Sequence, residues 1–108
     1  MCSEENSGEP GNIPDLDPVV HAPARLAILG MLHIAEVADF VFLMRKTGLS
    51  SGNLSTHLTK LETAGYVTIE KKFVDRMPRT LVSLTDTGRE ALRTYRQQMN
   101  KALGDLPE

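Results

Sequence analysis

Residues 49–92 read LSSGNLSTHLTKLETAGYVTIEKKFVDRMPRTLVSLTDTGREAL, and a change of hydrophobic period inside this stretch decides the fold. In the first half Leu54, Leu58 and Leu61 recur at steps of four and three, which puts them on one face of a helix. Ser50 or Ser51 can cap that helix by accepting from an orphan backbone N–H, and Gly65 can end it, so a helix is expected over about residues 50–64. The second half switches to period two. Val67 and Ile69 share one strand face in YVTIEKKF, Val82 and Leu84 share one in RTLVSL, and the two runs are expected to form a hairpin. VDRMP between them reads as a loop flanked by Arg76 and Arg79, with Pro78 limiting pairing near the tip.

On the N-terminal side, FVFLMRKTG reads as a helix with Phe40, Leu43 and Met44 inward, Arg45 and Lys46 in its last turn and Gly48 left-handed just past its end. EVAD before it is a candidate short extended stretch. Further back, PARLAILGMLHIA places Leu26, Ile28, Leu29, Leu32 and Ile34 at mixed three- and four-residue steps, as in a helix buried on much of its circumference. Pro23 suits its first turn. Gly30 weakens such a helix by about 1 kcal/mol relative to Ala and is expected where another helix approaches closely. On the C-terminal side, Thr85 or Asp86 can cap a long helix that carries Leu92, Tyr95, Met99, Ala102 and Leu103 along one stripe.

The order helix, helix, short turn, helix, hairpin, helix is the layout of a winged helix-turn-helix, an α+β class that is mostly helical: a three-helix core, a β-hairpin wing and a C-terminal dimerisation helix. Residues 1–14 combine Ser, Asn, Gly, Glu and Pro with few apolar side chains, so ordering them would bring little burial. The expected organisation is a disordered acidic arm at 1–16, one domain at 17–104 with 85–104 as the dimerisation helix, and a tail at 105–108. A length of 108 residues suits a single core.

Composition and charge narrow the function. The formal charge of −2 hides a split: all twelve Lys and Arg lie between Arg25 and Lys101, where seven acids leave a local charge of +5. Cations concentrated in one folded unit form an electrostatic footprint for phosphate. No apolar run is long enough for a membrane span, and the acidic N-terminus does not resemble an export signal, so a cytoplasmic protein with no membrane partner is expected. Cys2 is the lone cysteine and reads as an incidental thiol in the arm. His21, His33 and His57 show no metal-ligand spacing; His57 reads as a partly packed helix residue and His33 as a core-edge one. No metal, cofactor or catalytic grouping is expected, and the chain does not read as an enzyme.

A helix about 10–12 Å across fits the major groove of B-form DNA if its outer side is short, polar and unobstructed. With Leu54 and Leu58 inward, the outer side of residues 51–60 presents Ser51, Gly52, Asn53, Ser55, Thr56, Thr59 and Lys60, with no acid before Glu62. Asn can pair with an adenine edge, Ser and Thr reach bases or phosphates, and Lys60 favours phosphate or guanine. The wing, about residues 71–80, adds Lys71, Lys72, Arg76 and Arg79 for the backbone or the minor groove. The expected partner is double-stranded DNA, and the expected activity is sequence-specific regulation of transcription, as a repressor. A winged-helix module that binds proteins instead is the alternative; an acid-free helix face beside a basic wing argues against it.

The stretch quoted at the outset closely resembles the winged-helix transcriptional regulators related to the MarR and ArsR groups, through Leu-Ser-x-x-Leu in the recognition helix, LE-x-x-GYV, PRT in the wing and LT-x-x-G. The opening DPVVHAPARLAIL looks like the first helix of a compact subset. The resemblance covers residues 17–103 and maps Ser51, Asn53, Ser55, Thr56 and Lys60 onto helix positions that usually meet DNA, and Arg76 and Arg79 onto the wing. Val74-Asp75 stands where Gly is usual at the tip, so Asp75 is expected to be left-handed. The cysteine-rich helix of the metal-sensing branch is absent from the sequence. Such regulators act as twofold dimers, and the expected interface is Leu92, Tyr95, Met99 and Leu103 of the last helix with Leu26, Leu29 and Met31 of the first. A cleft between the terminal helices leaves room for a small-molecule effector that the sequence does not identify.

Overall fold

The computed structural model describes residues 15–104, so Cys2, most of the expected arm and the tail at 105–108 lie outside the described residues. The elements run α1 (Pro23–Ala35), β1 (Val37–Asp39), α2 (Phe40–Thr47), α3 (Ser51–Thr63), β2 (Val67–Val74), β3 (Met77–Leu84) and α4 (Asp86–Gly104). Four helices and one antiparallel sheet, in the order β1-β3-β2, give the winged-helix architecture that the element order predicts.

Local chemistry sets most boundaries. α1 opens on Pro23, whose missing N–H falls among the unpaired donors of a first turn, and ends where Glu36 turns left-handed with φ 71°. The Asp39 carboxylate accepts from the Val41 N–H at 2.7 Å and starts α2; Gly48, with φ 75°, stops it. Of the two cap candidates before α4 the structure uses Thr85, whose hydroxyl accepts from the Gly88 N–H at 2.9 Å and donates to the Gly65 carbonyl at 2.6 Å. Gly88 is required here: a Cβ on it would fall 2.1 Å from the Tyr66 carbonyl oxygen and 2.9 Å from Leu84 Cδ1. The LT-x-x-G motif is thus the place where α4 is pinned against the start of β2.

The core gathers Ile28, Leu29 and Leu32 of α1, Leu43 of α2, Leu54, Leu58 and Leu61 of α3, and Val67 and Val82 of the sheet. Three expectations for α1 need correction. Ile34 is 84% exposed, because it lies about 200° around the helix from Leu32 and the helix ends one residue later. Gly30 has open space where a Cβ would stand, so no close approach among the described residues accounts for it. His33 is exposed, within 3.4 Å of the Arg89 guanidinium of α4, and not at the edge of the core.

Residues before α1 act as a strap across the body. Asp17 accepts from the Val19 N–H at 2.8 Å and from the Tyr66 hydroxyl, and the Asp15 carbonyl accepts from Gln98 Nε2 at 3.2 Å. The His21 ring meets the Tyr95 hydroxyl of α4 at 2.9 Å. Leu29 is fully buried and Tyr95 nearly so within this one chain. Leu26, Met31, Leu92 and Met99 are only partly buried, and Leu103 is 55% exposed. Among the described residues no helix is long and apolar enough to cross a membrane.

Candidate nucleic-acid interface

The surface starts at the turn between α2 and α3. Gly48 reverses the chain, Leu49 packs against the core, and the Ser50 hydroxyl accepts from the Asn53 N–H at 3.2 Å. Three buried leucines hold the inner side of α3, and the remaining positions therefore turn outward. Ser51, Asn53, Ser55, Thr56, Thr59 and Lys60 are all exposed, the last five by their spacing from those leucines and Ser51 because it is the first residue of the helix. The Thr56 hydroxyl donates back to the Gly52 carbonyl at 3.0 Å, which fixes its rotamer and leaves its lone pairs outward as acceptors.

His57 stands at the edge of this face, half-buried, with Nδ1 3.1 Å from the Arg25 guanidinium. Burial lowers its pKa below the ordinary histidine value, and the charges of Arg25 and Lys60 push the same way. Arg25 also donates to the carbonyls of Val19 at 2.7 Å and Pro18 at 3.3 Å, so one guanidinium ties strap, α1 and α3 together. Sequence reasoning missed this residue. A signal was present: a cation in the first turn of a helix opposes the helix dipole and needs partners from elsewhere.

The wing is tighter than a loop over VDRMP. β2 and β3 pair from Val67 with Leu84 through Val74 with Met77, which leaves only Asp75 and Arg76 to turn. Both have positive φ, 52° and 68°, as a two-residue turn matching the strand twist demands. Asp75 is left-handed as anticipated, and Arg76 joins it. Pro78 sits inside β3, paired with Phe73. Counting from the turn, that is a non-hydrogen-bonded pair, so the missing N–H of Pro78 would have pointed away from β2 and no ladder bond is lost.

The wing cations differ in how they are held. Lys72 and Arg76 are exposed, Lys72 lying 3.7 Å from Glu70. Arg79 is drawn back to the body, its guanidinium 2.9 Å from the Asp39 carboxylate that also caps α2. The Val41 N–H, and after it Arg79, hold the Asp39 carboxyl below its usual range. β2 packs directly against α3, so the wing root is fixed to the exposed helix. Arg45 and Lys46 lie in the last turn of α2, with the Lys46 ammonium 5.8 Å from the Phe42 ring centre. Among the described residues no three His, Cys, Asp or Glu side chains gather as a metal site would require. An open cavity of about 390 Å³ lies between the strap and α4, lined by Asp17, Tyr66, Glu90, Ala91, Tyr95 and Gln98 among others.

Residues 24–103 match the sequence model of a family described as the winged helix DNA-binding domain. An uncharacterised protein of Methanocaldococcus jannaschii is 34% identical over 77 residues, 71% of this chain and 84% of the relative. A transcriptional regulator homologue from Pyrococcus horikoshii OT3 has a similar structure, with a TM-score of 0.77 at 32% identity over 82% of this chain and 89% of its own. A MarR variant from E. coli, solved with operator DNA, matches at a TM-score of 0.68 and 23% identity, over 81% of this chain and 61% of its own; that likeness concerns the fold alone.

Proposed function

The chain belongs to the winged helix DNA-binding domain family of transcriptional regulators, and from that premise we propose that it binds duplex DNA sequence-specifically as a homodimer and represses transcription by occupying its operator. α3 lies in the major groove in this reading, with Asn53, Ser55 and Thr56 at base edges and Ser51, Thr59 and Lys60 on bases or backbone. Lys72 and Arg76 follow the backbone beside it, while Arg79 stays with Asp39 and sets the angle of the wing. The observation that carries the proposal is the exposed side of α3 over residues 51–60: five short polar side chains and Lys60, with no acid before Glu62, on a helix whose neighbouring strand runs into a cationic ribbon.

Homodimerisation is proposed through Leu26, Leu92, Met99 and Leu103, which keep surface free in the single chain. The cavity between strap and α4 is where a small-molecule effector would dock. A salt titration on duplex DNA tests the core of the reading. With roughly six phosphate contacts, log affinity falls linearly with log salt at a slope of about −5. Absence of duplex binding, or binding indifferent to salt, would refute the proposal.

A further inference from the structure

Just behind its Asp75-Arg76 turn the wing carries an apolar stretch that the other described residues leave uncovered. Along β2, Val67 and Ile69 face the body; Lys71 and Phe73 continue the same row beyond its edge, where there is nothing left to pack on. Phe73 is 75% exposed and Met77 58%. By the pairing register Phe73 and Pro78 share one face of the ribbon, while Val74 and Met77 share the other, so the blade is apolar on both sides. Lys71, Lys72 and Arg76 surround it, and of the two nearby acids Glu70 is already placed beside Lys72.

An apolar blade in a cationic collar suits a partner whose outside is anionic and whose interior is apolar and stacked. We propose that Phe73, with Met77 across the turn, is a wedge that enters the minor groove beside the docked α3, partly unstacks a base step and bends the duplex. This rests on the DNA-binding reading above and adds a specificity that the cations cannot supply. A step that unstacks easily, such as a pyrimidine–purine step, is favoured under the wing even where no side chain reads its edges. DNA is preferred to other occupants because the wing root is packed against α3, which tethers the apolar blade to the helix proposed to enter the groove.

The test uses the whole chain and a duplex of about 30 base pairs recovered from a random-sequence pool, labelled at both ends so that energy transfer reports the bend. Phe73→Ser should lower affinity about tenfold, the loss of one buried large apolar side chain, and straighten the duplex while leaving the salt slope unchanged. Met77→Gln should act in the same direction. Lys72→Ala should keep the bend and reduce the slope by about one contact. A stiff A-tract in place of the flexible step should weaken the native chain and leave Phe73→Ser indifferent. Native bend and affinity in Phe73→Ser would overturn the wedge. So would a change of sedimentation in that variant, which would assign the tip to a second copy of the chain. If the native chain binds no duplex in a salt-dependent way, it is the DNA-binding reading that fails, and the first titration shows this before any variant is made.

Discussion

At the scale of single residues, Gly88 and His57 show how a position is fixed by what surrounds it. The Tyr66 carbonyl occupies the space a side chain at 88 would need, and backbone cannot give way as the end of a flexible side chain can. Gly88→Ala is therefore expected to destabilise the fold by about 3 kcal/mol, at the upper end for overpacking, and thermal unfolding will measure it. An unchanged Tm would mean that α4 does not dock on Tyr66. His57 offers a titration. Its pKa in the folded chain lies below the ordinary value of 6.5, so near that pH the unfolded chain binds the proton more readily. Stability is then complete above about pH 6.5 and declines as pH falls towards the folded pKa. His57→Gln, which can still accept from Arg25, should remove that part of the decline. If native chain and variant lose Tm in parallel between about pH 7 and pH 5, His57 is not held below its ordinary pKa by burial and its cationic neighbours.

At the scale of elements, the wing and α1 differ most from what their sequences suggest. Arg79 read as a phosphate contact, yet its partner is Asp39, forty positions away and joined to it only through the pairing of β1 with β3. Arg79→Ala should cost no more than about 1 kcal/mol, as for a partly exposed ion pair, and leave the salt slope of DNA binding unchanged. A slope shallower by about one would return Arg79 to the DNA. In α1, Gly30→Ala should raise stability by about 0.5–1 kcal/mol, since helix propensity improves and the space is open. A loss instead would show that a partner chain fills that space. The contrast explains what could be read in advance. α2 and α3 were legible because their limits are written locally, in the Ser50 cap, the Gly48 and Gly65 turns and three leucines at helical spacing. The exposed face of α3 followed from the same leucines. The tight turn at Asp75-Arg76 was only half legible, because neither residue is the glycine that marks such turns. Arg25, Arg79 and the burial of Leu29 and Tyr95 depend on contacts between distant segments, and periodicity carries no information about those.

At the scale of the whole molecule, the described chain measures 57 × 32 × 25 Å, and in the proposed reading it offers one groove-sized helix to a duplex with twofold symmetry. A single α3 reaches only a few base pairs, so the proposed specificity requires a second copy at a fixed distance. α4 is the element placed to supply it: nineteen residues long, with only Gly88 and Tyr95 buried, it packs against α1 while Leu92, Met99 and Leu103 keep apolar surface in water. To read two half-sites, the proposed dimer must hold its two α3 helices one helical turn of DNA apart, about 34–36 Å. Leu103→Glu changes a side chain that is 55% exposed and lies outside the packed core, so the domain should fold. Sedimentation should then shift from dimer to monomer, and binding to a two-half-site duplex should fall to the level of a single half-site. Both measurements belong together. A variant that stays dimeric moves the interface away from α4, whereas a monomer that still binds the full site with native affinity would show that one copy is the reading unit.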